Sequence, residues 1–238
     1  PVPVSGMSMD RQCSSGLMAI ATAAKQIVHD GMQIAIGGGV ESISLVQNDK
    51  MNKFRVADPW LVKNIPQIYM TMIETAEIVA ERYGVSREAQ DEYAVQSQQR
   101  TAIAQSEGRY DAEIAPLPST MIVTDKETGA TSEKAVNLKL DEGNRPQTTL
   151  ADLQKLQPVF KNGQRIKEGR FITAGNASQL SDGAAALVLM EAKEAERRGL
   201  KPLGAYRGMM VAACDPDEMG IGPVFAVPKL LKQHGLKM

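Results

Sequence analysis

The sequence predicts an α/β fold in which a long insertion interrupts a layered core. A helical pattern followed by a short β-branched strand opens the chain, and a similar strand pattern returns after residue 170. Between them lies a polar stretch with prolines and short helical patterns. Hydrophobic residues make up 43% and charged residues 23% of the 238 residues, which is ordinary globular usage, so an ordered protein is expected.

The first part of the predicted core is a helix over residues 14–30. Small and apolar residues recur there at helical spacing, and Gly31 supplies a stop. His29 falls in the last turn, where it would interact with the helix dipole. Residues 33–36 then predict a buried strand that ends at the glycines 37–39.

The predicted insertion covers residues 45–170. Residues 74–83 form an amphipathic helix, and Ser86 is expected to cap a second helix that runs to about Glu107. The apolar face of the first helix is predicted to contain Ala76, Val79, Ala80 and Tyr83.

Two further elements are predicted inside the insertion. The runs 120–123 and 135–140 flank a polar turn and indicate a hairpin. Thr149 and Asp152 resemble a capping box that opens a short helix to Leu156.

The core pattern resumes at residues 171–174 and continues in an apolar run at 184–190, which predicts a buried strand. A charged helix at 191–198 ends at Gly199, and a strand is expected over 203–213. These elements assign residues 1–44 and 171–199 to a first core domain and 200–238 to the start of a second.

Both ends of the sequence suggest an internal piece of a longer protein. The chain opens with Pro1 and no initiator methionine, and it closes on a predicted helix at 227–235. His234 lies on the apolar stripe of that helix, so we expect its ring to be packed.

The charge balance excludes several classes of function. Lysine and arginine total 27 against 28 aspartates and glutamates, so the basic excess of a nucleic-acid or anionic-membrane surface is missing. No apolar run approaches the roughly 20 residues of a membrane span. Two cysteines are too few for a disulfide framework and indicate a reducing compartment. We therefore expect an intracellular, cytoplasmic protein.

Cys13 is the first candidate for chemistry because it lies where the first helix begins. Backbone N–H groups and the dipole at a helix N-terminus favour a thiolate and could donate to an oxyanion during acyl transfer. A buried structural cysteine is the alternative. Neither His29 nor His234 is a convincing base for this thiol, and Cys214 is interpreted as structural.

The segment 175–186 is the second candidate. It combines glycines, small side chains, Asn176, Ser178 and an Asp-Gly turn ahead of a strand. Small residues let a ligand approach the backbone closely, so this segment predicts one wall of a narrow channel for an extended substrate. The cysteines and histidines show no metal-ligand spacing, and the glycines at 37–39 lack the spacing of a phosphate loop.

At these residues the chain resembles the thiolases, the family of acetyl-CoA acetyltransferases and 3-ketoacyl-CoA thiolases. Arg-Gln-Cys-Ser-Ser-Gly at 11–16 is similar to the family's nucleophile segment, and Gly-Gly-Gly-Val-Glu-Ser at 37–42 to the strand end that follows it. The other similar segments, in the family's order, are 75–77, 86–91, 173–178, 182–186, 215–216 and 219–223.

The resemblance implies part of a thiolase-like layered αβαβα core with an inserted loop domain. It also implies a CoA-dependent acyltransferase of fatty acid metabolism, in which Cys13 takes an acyl group from a thioester and passes it to CoA or to an acetyl-CoA carbanion. CoA and acyl-CoA would be substrates, with no permanently bound cofactor and no metal. Neither nucleic acid nor a membrane would be a partner, and the full-length protein would form a homodimer or homotetramer.

By match to the family, several residues would contact the substrate. Ala174, Ala177 and Ser178 would line the pantetheine channel. Phe160 would pack on it, Met72 would lie by the acyl end and Arg145 near the CoA nucleotide. Thr71 stands where thiolases for short acyl chains often have histidine, which leaves room for longer chains.

Three family segments do not occur in this sequence: Asn-Glu-Ala-Phe, the Gly-His-Pro that supplies the base, and a late Cys-x-Gly that handles the α-proton. Residues 1–238 alone are therefore expected to lack turnover. The alternatives are a thiolase-like protein that binds acyl-CoA or lipid without chemistry, a redox-sensing thiol, and a β-ketoacyl synthase on the same fold.

Overall fold

The computed structural model describes residues 2–238 and divides them into two compact units. The first unit comprises the residues up to Tyr69 together with Leu180–Met238, and the second is Met70–Gln179. The second unit is therefore continuous in sequence and is inserted into the first. The predicted domain assignment uses other bounds, with the insertion at 45–170, and it remains a prediction.

The helices and strands alternate irregularly along the chain. In chain order they are α1 (Ser15–His29), β1 (Ile34–Glu41), α2 (Ile43–Val46), α3 (Pro59–Asn64), α4 (Met72–Tyr83), α5 (Arg87–Ser106), β2 (Leu117–Thr124), β3 (Thr131–Leu138), α6 (Leu150–Gln154), β4 (Gly183–Met190), α7 (Ala192–Arg197) and α8 (Gly222–His234). This mixture of helices and strands agrees with the predicted α/β class.

The first unit is built on an antiparallel pair of β1 and β4, with α1 packed on one face. The register pairs Ile34 with Met190 and Glu41 with Gly183. A Cβ on Gly37 would lie 2.9 Å from the Cα of Ile20 in α1, so glycine allows strand and helix backbones to approach closely. The prediction that the strand ends at residues 37–39 is therefore wrong, because these glycines are its interior.

The same sheet corrects the expectation that both strands are buried. Side chains two apart on a strand share a face, and those of Ile36, Val40 and Val188 lie on the face opposite to α1. Their exposed fractions are 69%, 82% and 66%. Apolar runs predict burial only where a second layer is available, and this face is open among residues 2–238.

Two other expectations for the first unit are wrong. Residues 203–213 form no strand. A strand needs a neighbour for its backbone N–H and C=O groups, and no described residue pairs with this stretch. The closing helix, α8, begins at Gly222 rather than at 227, so Pro228 lies in its interior and not in its first turn.

The short charged helix before residue 200 agrees with its prediction. It spans Ala192–Arg197, and Gly199 follows it with φ +66°. Its most buried polar group, Glu194, accepts hydrogen bonds from Arg197 Nε at 2.7 Å and from Arg198 Nε at 2.5 Å. Hydrogen bonds from these two guanidinium groups lower the pKa of Glu194 to about 2.

In the second unit, the local helix signals of the sequence are confirmed. Ser86 caps α5 by accepting from the Ala89 N–H, and Thr149 caps α6 by accepting from the Asp152 N–H. The predicted hairpin is the antiparallel pair of β2 and β3. The predicted end of α6 at Leu156 is two residues too late.

The buried face of α4 agrees with the predicted one at Ala80, while Ala76 and Val79 are only half-buried. Tyr83 is 51% exposed, whereas the buried residues are Glu74, Thr75, Glu77, Ile78 and Ala80. Helical periodicity of apolar residues could not reveal this face because two of its members are carboxylates. Among the described residues, no helix is long and apolar enough to cross a membrane.

Candidate active site

The structure places Cys13 in a 3₁₀ turn, Gln12–Ser14, that leads directly into α1. The thiol is exposed. Ser14 stands at the N-cap of α1 but makes no capping hydrogen bond, because its hydroxyl donates to the Arg11 carbonyl at 2.9 Å. The N-terminus of α1 therefore has no side-chain cap, and the Ser15 N–H donates to the Gln12 carbonyl instead.

The turn around Cys13 is held by its own side chains. Gln12 has φ +52°, in the left-handed region that is uncommon for residues other than glycine. Asp10 Oδ1 accepts the Gln12 N–H at 2.8 Å, and Ser15 Oγ donates to the Gln12 carbonyl at 2.7 Å. The Arg11 N–H donates to the same Ser15 oxygen at 2.8 Å. These bonds fix the conformation that presents the sulfur.

The two histidines are not arranged as bases for this thiol. His29 lies in the last turn of α1, as predicted, and a helix of this length separates its two ends by about 20 Å. His234 packs against Gly208, where an added Cβ would lie 2.8 Å from its Cε1. Its Nε2 is buried and has no hydrogen-bond partner within residues 2–238.

The other candidate ligands and nucleophiles have structural surroundings. Cys214 is half-buried, and its Sγ lies 3.7 Å from the Glu218 carbonyl. Asp182 accepts hydrogen bonds from the hydroxyl and the N–H of Ser44, and these lower the pKa of its carboxyl. No group of three or more His, Cys, Asp or Glu side chains in residues 2–238 could hold a metal ion.

All the residues predicted to contact CoA lie in the unit Met70–Gln179. Met72 is the first residue of α4 and is 59% exposed. Arg145 is exposed, and its backbone N–H donates to Gln98 Oε1 at 2.8 Å. Phe160 is half-buried, and its carbonyl accepts the Gly169 N–H at 2.9 Å. This hydrogen bond joins Phe160 to Gly169, and residues 170–172 then lead into Thr173.

Ala174 and Ala177 lie in one tight turn, and Ser178 follows it directly. The Ala177 N–H donates to the Thr173 carbonyl at 3.0 Å, and Thr173 itself is fully buried. Ala174 and Ser178 are exposed, while Ala177 is half-buried. The turn therefore offers small side chains to the outside, as a close-fitting wall requires.

Asn176 holds this turn and does not offer its amide outward as the sequence suggested. Its Oδ1 accepts the Thr173 N–H at 2.8 Å. Its Nδ2 donates to Asp91 Oδ1 and to the Phe171 carbonyl, each at 2.9 Å. All of these polar partners belong to the fold.

Sequence reasoning missed the buried carboxylates behind this turn. Glu74 and Glu77 are each 2% exposed and Asp91 is 1% exposed. Burial raises the pKa of Glu74, but backbone N–H donors from the 164–166 stretch and the charge of Lys167 outweigh it and lower that pKa. The one sequence feature that pointed to these carboxylates was a pair of glutamates one turn apart in α4. The same spacing is also typical of a solvent-exposed helix face.

The comparisons with known proteins agree on one family. A sequence family described as "Thiolase, N-terminal domain" matches residues 1–193. The 3-ketoacyl-CoA thiolase of Bacillus subtilis (strain 168) is 43% identical over 238 residues, which is 100% of this chain and 59% of the relative.

Solved structures give the same picture. The dimeric peroxisomal thiolase of Saccharomyces cerevisiae superposes with a TM-score of 0.78 at 33% identity, covering 96% of this chain and 54% of that one. Human mitochondrial 3-ketoacyl-CoA thiolase in complex with CoA superposes with a TM-score of 0.71 at 35% identity, covering 94% and 54%. The chain thus spans little more than half the length of these relatives.

Proposed function

The chain belongs to the thiolase family, and on that premise we propose that it carries the nucleophile of a CoA-dependent acyltransferase. The reaction is thiolysis of 3-ketoacyl-CoA or the reverse condensation of acyl-CoA with acetyl-CoA. The observation that supports it most directly is the exposed Cys13 thiol at the uncapped N-terminus of α1. The dipole at a helix N-terminus stabilises the negative charge that develops on an oxyanion during acyl transfer.

In the condensation direction, the Cys13 sulfur bonds to the thioester carbonyl carbon of acyl-CoA, and CoA leaves as its thiolate. The acyl group then passes to the carbanion of acetyl-CoA, and the thiolate of Cys13 is released. In thiolysis, the sulfur attacks the 3-keto carbon and the bond between C2 and C3 breaks. The departing acetyl-CoA carbanion takes up a proton, and the thiol of CoA removes the acyl group.

We assign substrate contacts to exposed or half-buried residues of the second unit. Ala174, Ala177 and Ser178 face the pantetheine arm, as expected of small side chains on a tight turn. Further contacts are Phe160 on pantetheine, Met72 at the acyl end and Arg145 at the CoA nucleotide. Thr71 caps α4 by accepting the Glu74 N–H. Its side chain is small and it precedes Met72 in the sequence, so it leaves room for longer acyl chains.

We propose that residues 1–238 alone accept an acyl group without completing the cycle. Acylation of the Cys13 thiolate moves no proton, but the second half-reaction must remove one from acetyl-CoA or from the thiol of CoA, which calls for a base near the sulfur. His29 lies at the opposite end of α1, and His234 is packed against Gly208. Neither provides that base.

The complete protein is proposed to be a homodimer or homotetramer with CoA and acyl-CoA as its ligands and no permanently bound cofactor. The open apolar face of the β1–β4 sheet supports association. Similar structures include a dimeric peroxisomal and a human mitochondrial thiolase. The cytoplasm, the mitochondrion and the peroxisome are the compartments that fit.

The test is covalent labelling of this chain by acetyl-CoA, read by intact mass and peptide mapping. We expect one acetyl group on the wild-type chain and on Cys214→Ser, and none on Cys13→Ser. The two serine variants are matched because each removes one thiol. Addition of acetoacetyl-CoA and CoA to the same chain should give no sustained turnover.

Labelling at Cys214, or no labelling anywhere, would contradict the acyltransferase proposal. Binding of acetyl-CoA without a covalent adduct would favour the alternative, a thiolase-like protein that binds acyl-CoA or lipid without chemistry. Sustained turnover that depends on Cys13 would show that a base is present after all.

A further inference from the structure

The most deeply buried large side chains in the described part of the molecule are polar. They are Glu74, Glu77, Asp91 and Thr173, and all belong to the unit Met70–Gln179. Burial of a carboxylate is costly unless hydrogen bonds or charges compensate it. Residues 164–176 supply hydrogen bonds to each of these four side chains, and these bonds offset the cost of burying them.

The two glutamates of α4 bind successive parts of that stretch. Glu74 Oε1 accepts the N–H groups of Arg165 at 2.7 Å and Ile166 at 3.2 Å. Glu77 accepts those of Arg170 at 2.9 Å, Phe171 at 3.1 Å and Ile172 at 2.8 Å. Since α4 is a rigid helix, these carboxylates fix the stretch to it through the backbone, independently of its side chains.

Gly163, just before the stretch, and Gly169, within it, make room for the two carboxylates. A Cβ on Gly163 would lie 2.6 Å from Glu74 Oε1, and a Cβ on Gly169 would lie 2.7 Å from Glu77 Oε1. Both distances are too short for real atoms. The loop is therefore shaped around the carboxylates at two places.

Asp91 of α5 fixes the end of the stretch. Its Oδ2 accepts from Arg87 Nε and its Oδ1 from Asn176 Nδ2, at 2.8 and 2.9 Å. Arg87 Nη2 also donates to the carbonyls of Leu153 and Leu156 at 2.7 and 3.1 Å. The turn at Asn176 is thereby bonded to both α5 and α6.

Inside the turn, Thr173 completes the arrangement. Its Oγ1 accepts the N–H groups of Gly175 and Asn176, each at 3.3 Å. Ala174 in the same turn and Ser178 directly after it are exposed, and both are assigned to CoA. The buried residues hold the turn from behind, and the exposed residues are those available to a ligand.

We propose that Glu77, Asp91 and Thr173 are positioning residues for CoA binding. They fix the backbone of 170–176 so that Ala174, Ala177 and Ser178 meet the pantetheine arm at close range. This inference rests on the proposed function, because it assumes that the turn binds CoA. Apolar side chains would stabilise this core at least as well as buried carboxylates do. Directed hydrogen bonds to carboxylates, unlike apolar contacts, select one backbone conformation, and this supports a positioning role.

The test compares the dissociation constant of CoA for the full chain and for two variants, by calorimetry at a temperature where circular dichroism shows each variant folded. In Glu77→Gln, an amide N–H₂ replaces one acceptor oxygen and faces backbone N–H groups, so the stretch must shift. Thr173→Val keeps the shape and removes the acceptor of two N–H groups. We expect both to bind CoA about tenfold more weakly, since small misplacements of a binding group are costly.

Two controls separate positioning from stability. Glu194→Gln makes the same chemical change at a carboxyl that is 4% exposed in the other unit, and it should lower the melting temperature without altering the CoA affinity. Thr173→Ser retains the hydroxyl and should restore wild-type affinity to within about twofold.

Each outcome has a defined meaning. Unchanged CoA affinity in folded Glu77→Gln and Thr173→Val, or equal loss in Glu194→Gln, would overturn the positioning role while leaving the proposed function intact. Failure of the wild-type chain to bind CoA would overturn both. If Glu77→Gln does not fold, the isosteric Thr173→Val decides the question by itself.

Discussion

Gln12 is the residue whose backbone is most directly tied to the proposed nucleophile. Its φ of +52° is maintained by hydrogen bonds from its own N–H to Asp10 and from Ser15 to its carbonyl. A β-branched side chain is strongly disfavoured in this region, whereas glycine occupies it without strain. Strain of this kind persists where the surroundings enforce it and is often found beside reacting groups.

We therefore expect Gln12→Val to lower the free energy of unfolding by about 1–3 kcal/mol and to slow alkylation of Cys13 by iodoacetamide. Gln12→Gly should keep both properties close to wild type. The free energy is measured by urea denaturation, and the alkylation rate is measured in a Cys214→Ser background so that one thiol reacts. Equal behaviour of the valine and glycine variants would show that the left-handed backbone at residue 12 is not required.

At the scale of elements, the stretch 164–176 is joined to α4 by the carboxylates of Glu74 and Glu77. Gly169→Ala would place a Cβ 2.7 Å from Glu77 Oε1 and 3.1 Å from Phe160 Cβ. Glu77 cannot swing away, because it is 2% exposed and binds three backbone N–H groups. We expect this variant to lose about 1–3 kcal/mol of stability, as in other cases of overpacking.

The matched control is Gly204→Ala, where an added Cβ would meet nothing within 4 Å. That variant should be neutral or more stable by a few tenths of a kcal/mol, since alanine restricts the unfolded chain. Urea denaturation of both variants supplies the measurement. A Gly169→Ala variant as stable as Gly204→Ala would mean that the contact between Gly169 and Glu77 is loose.

Elements with local signals could be predicted from the sequence. Ser86 and Thr149 cap their helices through side-chain oxygens that bind N–H groups three residues on, and that geometry depends on neighbours in the sequence alone. The position of Cys13 at the start of a helix was predicted in the same way, from the sequence that follows it. The exact φ of Gln12 was not predictable, because it depends on the Asp10 and Ser15 bonds.

Features that depend on distant partners could not be predicted. Glu77 is buried because residues 170–172, more than 90 positions later, donate their N–H groups to it. Gly37 lies inside β1, where the close approach of α1 leaves no room for a side chain. From the sequence alone, a glycine after an apolar run predicts the end of a strand. Residues 203–213 have the composition of a strand, but pairing decides whether a strand forms.

At the scale of the whole molecule, the β1–β4 sheet has one face against α1 and one face open. The open face includes Ile36, Val40 and Val188: Ile36 and Val188 are cross-strand neighbours, and Val40 lies four residues from Ile36 along β1. They are between 66% and 82% exposed, and Ile34 on the same face is 39% exposed. A contiguous apolar surface of this kind marks an association site more often than a free surface.

We expect the chain to self-associate through this face and Val188→Lys to weaken the association at least about tenfold, because a lysine ammonium would have to be desolvated at the contact. Sedimentation velocity over a range of concentrations measures the dissociation constant. Ile103→Lys is the control, since Ile103 is a 53% exposed residue of α5 in the other unit and should leave association unchanged. If the wild-type chain sediments as a monomer throughout, or if both lysine variants weaken association equally, then the open sheet face has no role in assembly.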